Sequence, residues 1–152
     1  MKWDEKNYLA LRRGPYVIGA GLDESVEASP KTLKGRFVNL FDPELAVQRS
    51  IALEPGKRVF LLDLKAVKSS KPRVLASACK ALLTKTEGKR MTWTVEGVGD
   101  TPALVLIASD KPPRTVELSS HVPISHSYNP AEGLLYVRFT NEARPRELTI
   151  EF

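Results

Sequence analysis

His121 and His126 are the chain's only histidines, the residue type best suited to proton transfer near neutral pH or to holding zinc. Five residues apart in strand-like sequence, they point to opposite faces and cannot grip one ion together unless Pro123 breaks the alternation. The single cysteine, Cys79, offers neither zinc-type spacing nor an internal disulfide. Its apolar neighbour Ala78 suits a buried thiol better than a reactive one. The Gly-x-Ser-x-Gly elbow of serine hydrolases is absent. Phosphate-cradling loops fare no better. Gly19-Ala20-Gly21 meets Glu24 where a third glycine belongs, and Gly97-Val98-Gly99 meets Pro102. Both pairs read more simply as strand or turn glycines, with Gly19 and Gly21 suggesting a bulge or the close approach of another backbone.

Glycosidase chemistry needs two carboxylates facing one bond. Asp23-Glu24 and Asp42/Glu44 sit instead at turn positions, where aspartate caps local backbone. Asp63 lies inside the apolar run Val59–Leu64 and is expected to be partly buried, satisfied by neighbouring backbone or by an arginine. The residues therefore predict no catalytic set, no metal site and no cofactor, so the chain is not expected to be an enzyme. Aromatic side chains are the remaining candidates, because flat rings stack on sugars and bases. Trp93 shares parity with Met91 and Val95 and is expected in the core, whereas Trp3, Tyr16 and Tyr128 are less constrained and are the candidate ligand-binding platforms.

The elements that must position these residues are strands. The 152 residues contain eleven prolines and nine glycines, scattered as punctuation and, apart from Pro112-Pro113, never doubled. Strand-like runs lie at Tyr8–Arg12, Tyr16–Leu22, Leu33–Phe41, Val47–Leu53 and Val59–Leu64. Others follow at Val74–Leu83, Met91–Glu96, Ala103–Ala108, Thr115–Leu118, Ile124–Tyr128, Leu134–Thr140 and Leu148–Phe152. In the third run, Leu33, Gly35, Phe37, Asn39 and Phe41 share one face. Val74–Leu83 fits a helical face as well as alternation, and a strand is preferred because Thr86-Glu87-Gly88-Lys89 makes a good hairpin loop. Glu54-Pro55-Gly56-Lys57 has the Pro-Gly pair of a type II turn, which predicts a hairpin between the runs on either side. About twelve short strands at this spacing predict an all-β, antiparallel β-sandwich of Ig-like type. It is read as one module over 1–152, with a possible internal boundary near 68–71 between two small β-subdomains sharing a core.

The formal charge of +5 invites a nucleic-acid reading, but its distribution opposes one. Residues 1–68 hold 12 Lys+Arg against 9 Asp+Glu, and no basic run exceeds two residues. A solvated mixed-charge surface is the simpler account, so nucleic acid is an unlikely partner. A membrane is not expected either, since no apolar run approaches the ~20 residues a helical span requires. No secretory leader is predicted, because the sequence turns polar at Asp4.

Three stretches carry a resemblance. They are Leu11–Ile18 with Gly21–Ser25, then Leu33–Leu45, then Leu53–Leu64; the tail, Pro113–Leu118 with Tyr128 and Leu134–Phe139, is similar in kind. Together they resemble the C-terminal β-sandwich regions of large bacterial proteins of glycoside-hydrolase type. The resemblance implies a non-catalytic accessory module of an exported bacterial protein. Its partner would be a neighbouring catalytic domain or a carbohydrate, bound weakly. It carries over no catalytic residue, because the catalytic domain of such proteins lies upstream. The alternative is a stand-alone basic module for an anionic partner such as nucleic acid. A packing module should leave an apolar patch exposed; an anion-binding one should gather its lysines and arginines.

Overall fold

The computed structural model describes residues 6–23, 29–67, 71–120 and 122–152. All regular structure among them is antiparallel β, in three sheets, with no helix. The chain divides into two compact units, Met1–Lys68 and Ser69–Phe152.

The first unit is one five-stranded sheet built from β1 (Tyr8–Arg13), β2 (Tyr16–Gly21), β3 (Lys31–Asn39), β4 (Val47–Leu53) and β5 (Arg58–Asp63). Its order is β1-β2-β5-β3-β4. Alternation sends Val17, Phe37, Ile51, Leu53, Val59 and Leu61 into its core, with Tyr8 and Leu33 packed against them. The β3–β4 pairing carries a register shift between Lys34 and Phe37, where the Phe37 ring lies over Gly35. The strand stops at Asn39, whose Oδ1 accepts from the amides of Phe41 (3.2 Å) and Phe60 (3.4 Å). Phe41 therefore leaves the face that parity assigned it and turns into solvent.

The hairpin expected across Glu54–Lys57 is corrected. The reversal forms, with the Lys57 amide donating to the Glu54 carbonyl at 3.0 Å and Gly56 at a φ of 75°. Its flanking strands do not pair, however, because β3 lies between β4 and β5 and β5 is bonded to β2 on its other edge. The sheet curls until the end of β4 crosses β2. Gly21 bridges Pro55 in parallel, its amide donates to the Lys57 carbonyl at 2.8 Å, and its carbonyl accepts from Gly56 at 3.2 Å. The close backbone approach anticipated from the glycines of β2 is thus the crossing point of the sheet.

The second unit is a two-layer sandwich. Its strands are β6 (Arg73–Ser77), β7 (Lys80–Glu87), β8 (Arg90–Glu96), β9 (Pro102–Ala108), β10 (Thr115–Leu118), β11 (Ser125–Asn129), β12 (Leu134–Thr140) and β13 (Arg146–Glu151). One sheet runs β10-β13-β8-β7 and the other β11-β12-β9-β6. Met91, Trp93, Val95, Leu148 and Ile150 from the first meet Val105, Ile107, Leu135, Val137 and Phe139 from the second. Trp93 and its parity partners are inside, as alternation predicts. The run Val74–Leu83 is not one strand. It splits at Ala78-Cys79 and crosses between sheets, so neither a single helical nor a single strand period describes it.

Candidate docking face

Alternation in β2 sends Val17 and Gly19 inward and leaves Tyr16 and Ile18 on the outer face. The register then determines their neighbours. Ile18 lies between Leu11 of β1 and Phe60 of β5, while Leu9 stands opposite Ala20 and Arg13 opposite Tyr16. Leu9, Leu11 and Ile18 are 64%, 62% and 53% exposed, Tyr16 is 39% exposed and Phe41 66%. Phe60 is the centre of the aromatic part: its ring is 5.4 Å from that of Tyr16 and 6.2 Å from that of Phe41. The rings are tilted by 36° and 55°, so they present a relief rather than one flat platform.

Two devices hold this face in place. The β1–β2 hairpin turns in two residues, Gly14 and Pro15, and the Pro15 carbonyl accepts from the Asp63 amide at 2.7 Å. On the opposite face the Arg12 guanidinium donates to Asp63 Oδ2 at 2.8 Å, tying β1 to β5 across β2. Asp63 also accepts from the Lys65 amide at 3.0 Å. Its buried carboxylate is thus satisfied by an arginine and by backbone together, the two partners expected from its sequence context.

The face offers hydrophobic and aromatic contact. Other predicted residues lie elsewhere. Tyr128 is half-buried against the sandwich core, and its hydroxyl donates to the Ser109 carbonyl at 3.1 Å. His126 is exposed on β11, while Trp3 and His121 fall outside the described residues. Asp42 caps the amides of Glu44 (3.0 Å) and Ala46 (3.3 Å), the turn role foreseen for it. No group of three or more metal-ligating side chains occurs among the described residues. Phe41, Phe60, Leu9 and Leu11 were not legible as site residues. Phe60 sits in a continuous apolar run that reads as buried, and only its parity against Val59 and Leu61 gives it away.

A second polar cluster closes one end of the sandwich. Arg146 is buried; its guanidinium donates to the Thr140 carbonyl (2.7 Å), Ser120 Oγ (3.2 Å) and Glu142 Oε1 (3.3 Å). The Arg144 Nε donates to Glu142 Oε2 at 2.6 Å. Nearby, burial pushes the Cys79 thiol up, opposed by a 3.1 Å contact with Ser77 Oγ and by the charge of Arg146. A protonated thiol at neutral pH is a poor nucleophile. The hydrogen bond from Arg144 holds the Glu142 carboxyl below its usual range, with the charges of Arg144 and Arg146 adding to it and desolvation opposing. A carboxyl lowered by folding stabilises above its unfolded pKa, about 4.3, and that stability is lost as pH falls through the lowered native value. Glu142→Gln is therefore expected to be less stable than the wild type at pH 7, the gap closing in acid below about pH 4. Urea midpoints measured at both pH values check this.

No family model, no curated protein and no solved structure matches this chain.

Proposed function

We propose that the chain is a non-catalytic accessory β-module of a carbohydrate-active protein, and that it docks through the outer face of β1, β2 and β5 onto the surface of a catalytic domain. The carrying observation is the contiguous exposure of Leu9, Leu11, Ile18, Tyr16 and Phe41 around the Phe60 ring. Isolated exposed apolar residues are ordinary on soluble proteins, but a contiguous patch marks an interaction surface. The link to carbohydrate rests on the resemblance of the Leu11–Ile18, Leu33–Leu45 and Leu53–Leu64 stretches.

The tilt between the rings favours a protein surface over a sugar. A pyranose stacks on one flat ring, whereas a relief of three tilted rings with aliphatic neighbours suits side chains that interdigitate. Weak glycan binding at Tyr16 is the lesser use of the same face. The basic-module alternative gains little from the charges, because many pair across or along strands. Examples are Lys80–Glu96 at 3.6 Å, Arg90–Glu117 at 3.5 Å and Arg114–Glu151 at 3.7 Å.

The test mixes the purified chain with a glycoside-hydrolase catalytic domain encoded in the same genome and follows complex formation by size-exclusion chromatography. A one-to-one complex that Ile18→Lys abolishes is the expected result. Affinity electrophoresis in a panel of polysaccharides, and in DNA, runs beside it. Salt-resistant retardation by one polysaccharide, lost in Tyr16→Ala and without a protein complex, overturns docking in favour of glycan binding. Salt-sensitive retardation by DNA overturns both.

A further inference from the structure

Sheets with open edges recruit further strands, and proteins ordinarily block this with short edges, bulges, prolines or charges. Among the described residues six strands lie at sheet edges: β1, β4, β6, β7, β10 and β11. Five of them carry such devices or polar centres. In β4, Gln48-Arg49-Ser50 interrupts the apolar residues, and its pairing with β3 carries a register shift. The β6 edge has five residues and a register shift, and β10 has four. A shift and the charges of Lys80, Lys85 and Glu87 mark β7, while β11 reads Ser-His-Ser-Tyr-Asn. The exception is β1, Tyr-Leu-Ala-Leu-Arg-Arg. It is six residues long, pairs with β2 without a register shift, and has charge only at its C-terminal end.

Hydrogen-bond phase shows what this edge offers. The Leu22 amide donates to the Asn7 carbonyl at 2.8 Å, so on β1 the residues bonded to β2 are Asn7, Leu9, Leu11 and Arg13. The N–H and C=O of Tyr8, Ala10 and Arg12 point the other way, toward the edge that no described strand occupies.

We infer that this edge pairs with the same edge of a second copy of the chain, antiparallel about a twofold axis at Ala10. That register brings all three outward residues into hydrogen-bonded pairs, Ala10 with itself and Tyr8 with Arg12, for about six backbone bonds. Shifting by two residues either way loses one of the three pairs, and one of those shifts sets Leu9 against Arg13. Parallel in-register pairing would stack Arg12 on Arg12. The centred register instead places Leu9 opposite Leu11 on both sides of the axis, which joins the exposed leucines of the two copies into one row. The pairing shares Leu9 and Leu11 with the docking face but leaves Tyr16, Ile18, Phe41 and Phe60 open, so a substitution at Ile18 separates it from the docking reading. Charge placement and leucine placement thus favour the same self-complementary register of β1.

Sedimentation velocity over a wide concentration range tests the pairing. A strand seam with four leucines is a small interface, so a reversible dimer with a dissociation constant of about 10–100 µM is expected. Ala10→Pro removes the central outward N–H, which makes no bond inside the monomer, and proline is tolerated at such edge positions. It is expected to weaken the dimer at least about tenfold with the β signal in circular dichroism unchanged, whereas Ile18→Lys leaves dimerisation intact. Register is read by oxidising a Leu9→Cys/Leu11→Cys pair in a Cys79→Ser background. Directly opposed positions about 4.5 Å apart at Cα lie within disulfide reach, so a covalent dimer should form that Leu9→Cys alone does not give. A chain that stays monomeric throughout overturns the inference. So does a dimer that survives in a folded Ala10→Pro variant, or equal crosslinking by the single and double cysteine variants.

Discussion

Replacing Gly21 with alanine is expected to destabilise the first unit by about 3 kcal/mol, although it adds a single carbon to a strand. Strand propensity alone predicts the opposite sign, since glycine weakens a strand interior and any side chain should help. The crossing of β4 over β2 decides the matter. A Cβ at Gly21 would lie 1.9 Å from the Glu54 carbonyl oxygen and 2.6 Å from its carbon, and these are backbone atoms that no rotamer change can move. To admit it, the arch at Pro55 must lift, and the 2.8 Å bond that Gly21 donates to Lys57 and the 3.2 Å bond it accepts from Gly56 lengthen with it. Gly19 makes the comparison informative. The nearest atoms a Cβ there would meet are side-chain methyls of Leu53 and Val59 at 3.0 Å, which can shift, so Gly19→Ala should cost about 1 kcal/mol. Thermal unfolding of both variants measures the difference. Equal losses would mean that the arch yields, and that the crossing does not lock the curl of the sheet.

Why that arch escaped the sequence is instructive. Glu54-Pro55-Gly56-Lys57 encodes a reversal through local conformational preference, and the reversal is present. Which strands then pair is a property of the whole sheet, and nothing in those four residues says that β3 takes the position a hairpin partner would hold. Gly21 carried the missing information from the other side, because its glycine identity is required only where backbone passes close by. Likewise the break at Ala78-Cys79 involves neither glycine nor proline, so a strand that changes sheets reads as one continuous run. Strand positions themselves were readable, because period-two alternation follows from burial on one face. The docking face was half readable. Tyr16 stands out by type next to the Gly14-Pro15 turn, but Leu9, Leu11 and Phe60 join it only through the register of three strands. Asp63 was readable because a carboxylate inside an apolar run must have a partner, and Arg12 supplies it.

Trp93→Ala is expected to cost the second unit about 4 kcal/mol and to lower its melting temperature by about 15–30 °C. Tryptophan in a module of this kind has two possible uses, as a stacking platform on the surface or as the largest block of a core, and truncation separates them. A platform residue would lose binding and spare stability. Trp93 is 2% exposed at the middle of β8, set between Leu83 of β7 and Leu148 of β13, in the core that residues of β9 and β12 share. Removing the indole leaves a cavity lined by residues of two sheets whose backbones are fixed by their own ladders, so little of it can collapse. Trp93→Phe keeps most of the apolar volume and should cost about half as much. Differential scanning calorimetry is the suitable measurement, because two compact units need not melt in one step. A loss below about 1.5 kcal/mol for Trp93→Ala would show that the layers close over the gap, and that the sandwich is held by its ladders more than by the packing between them.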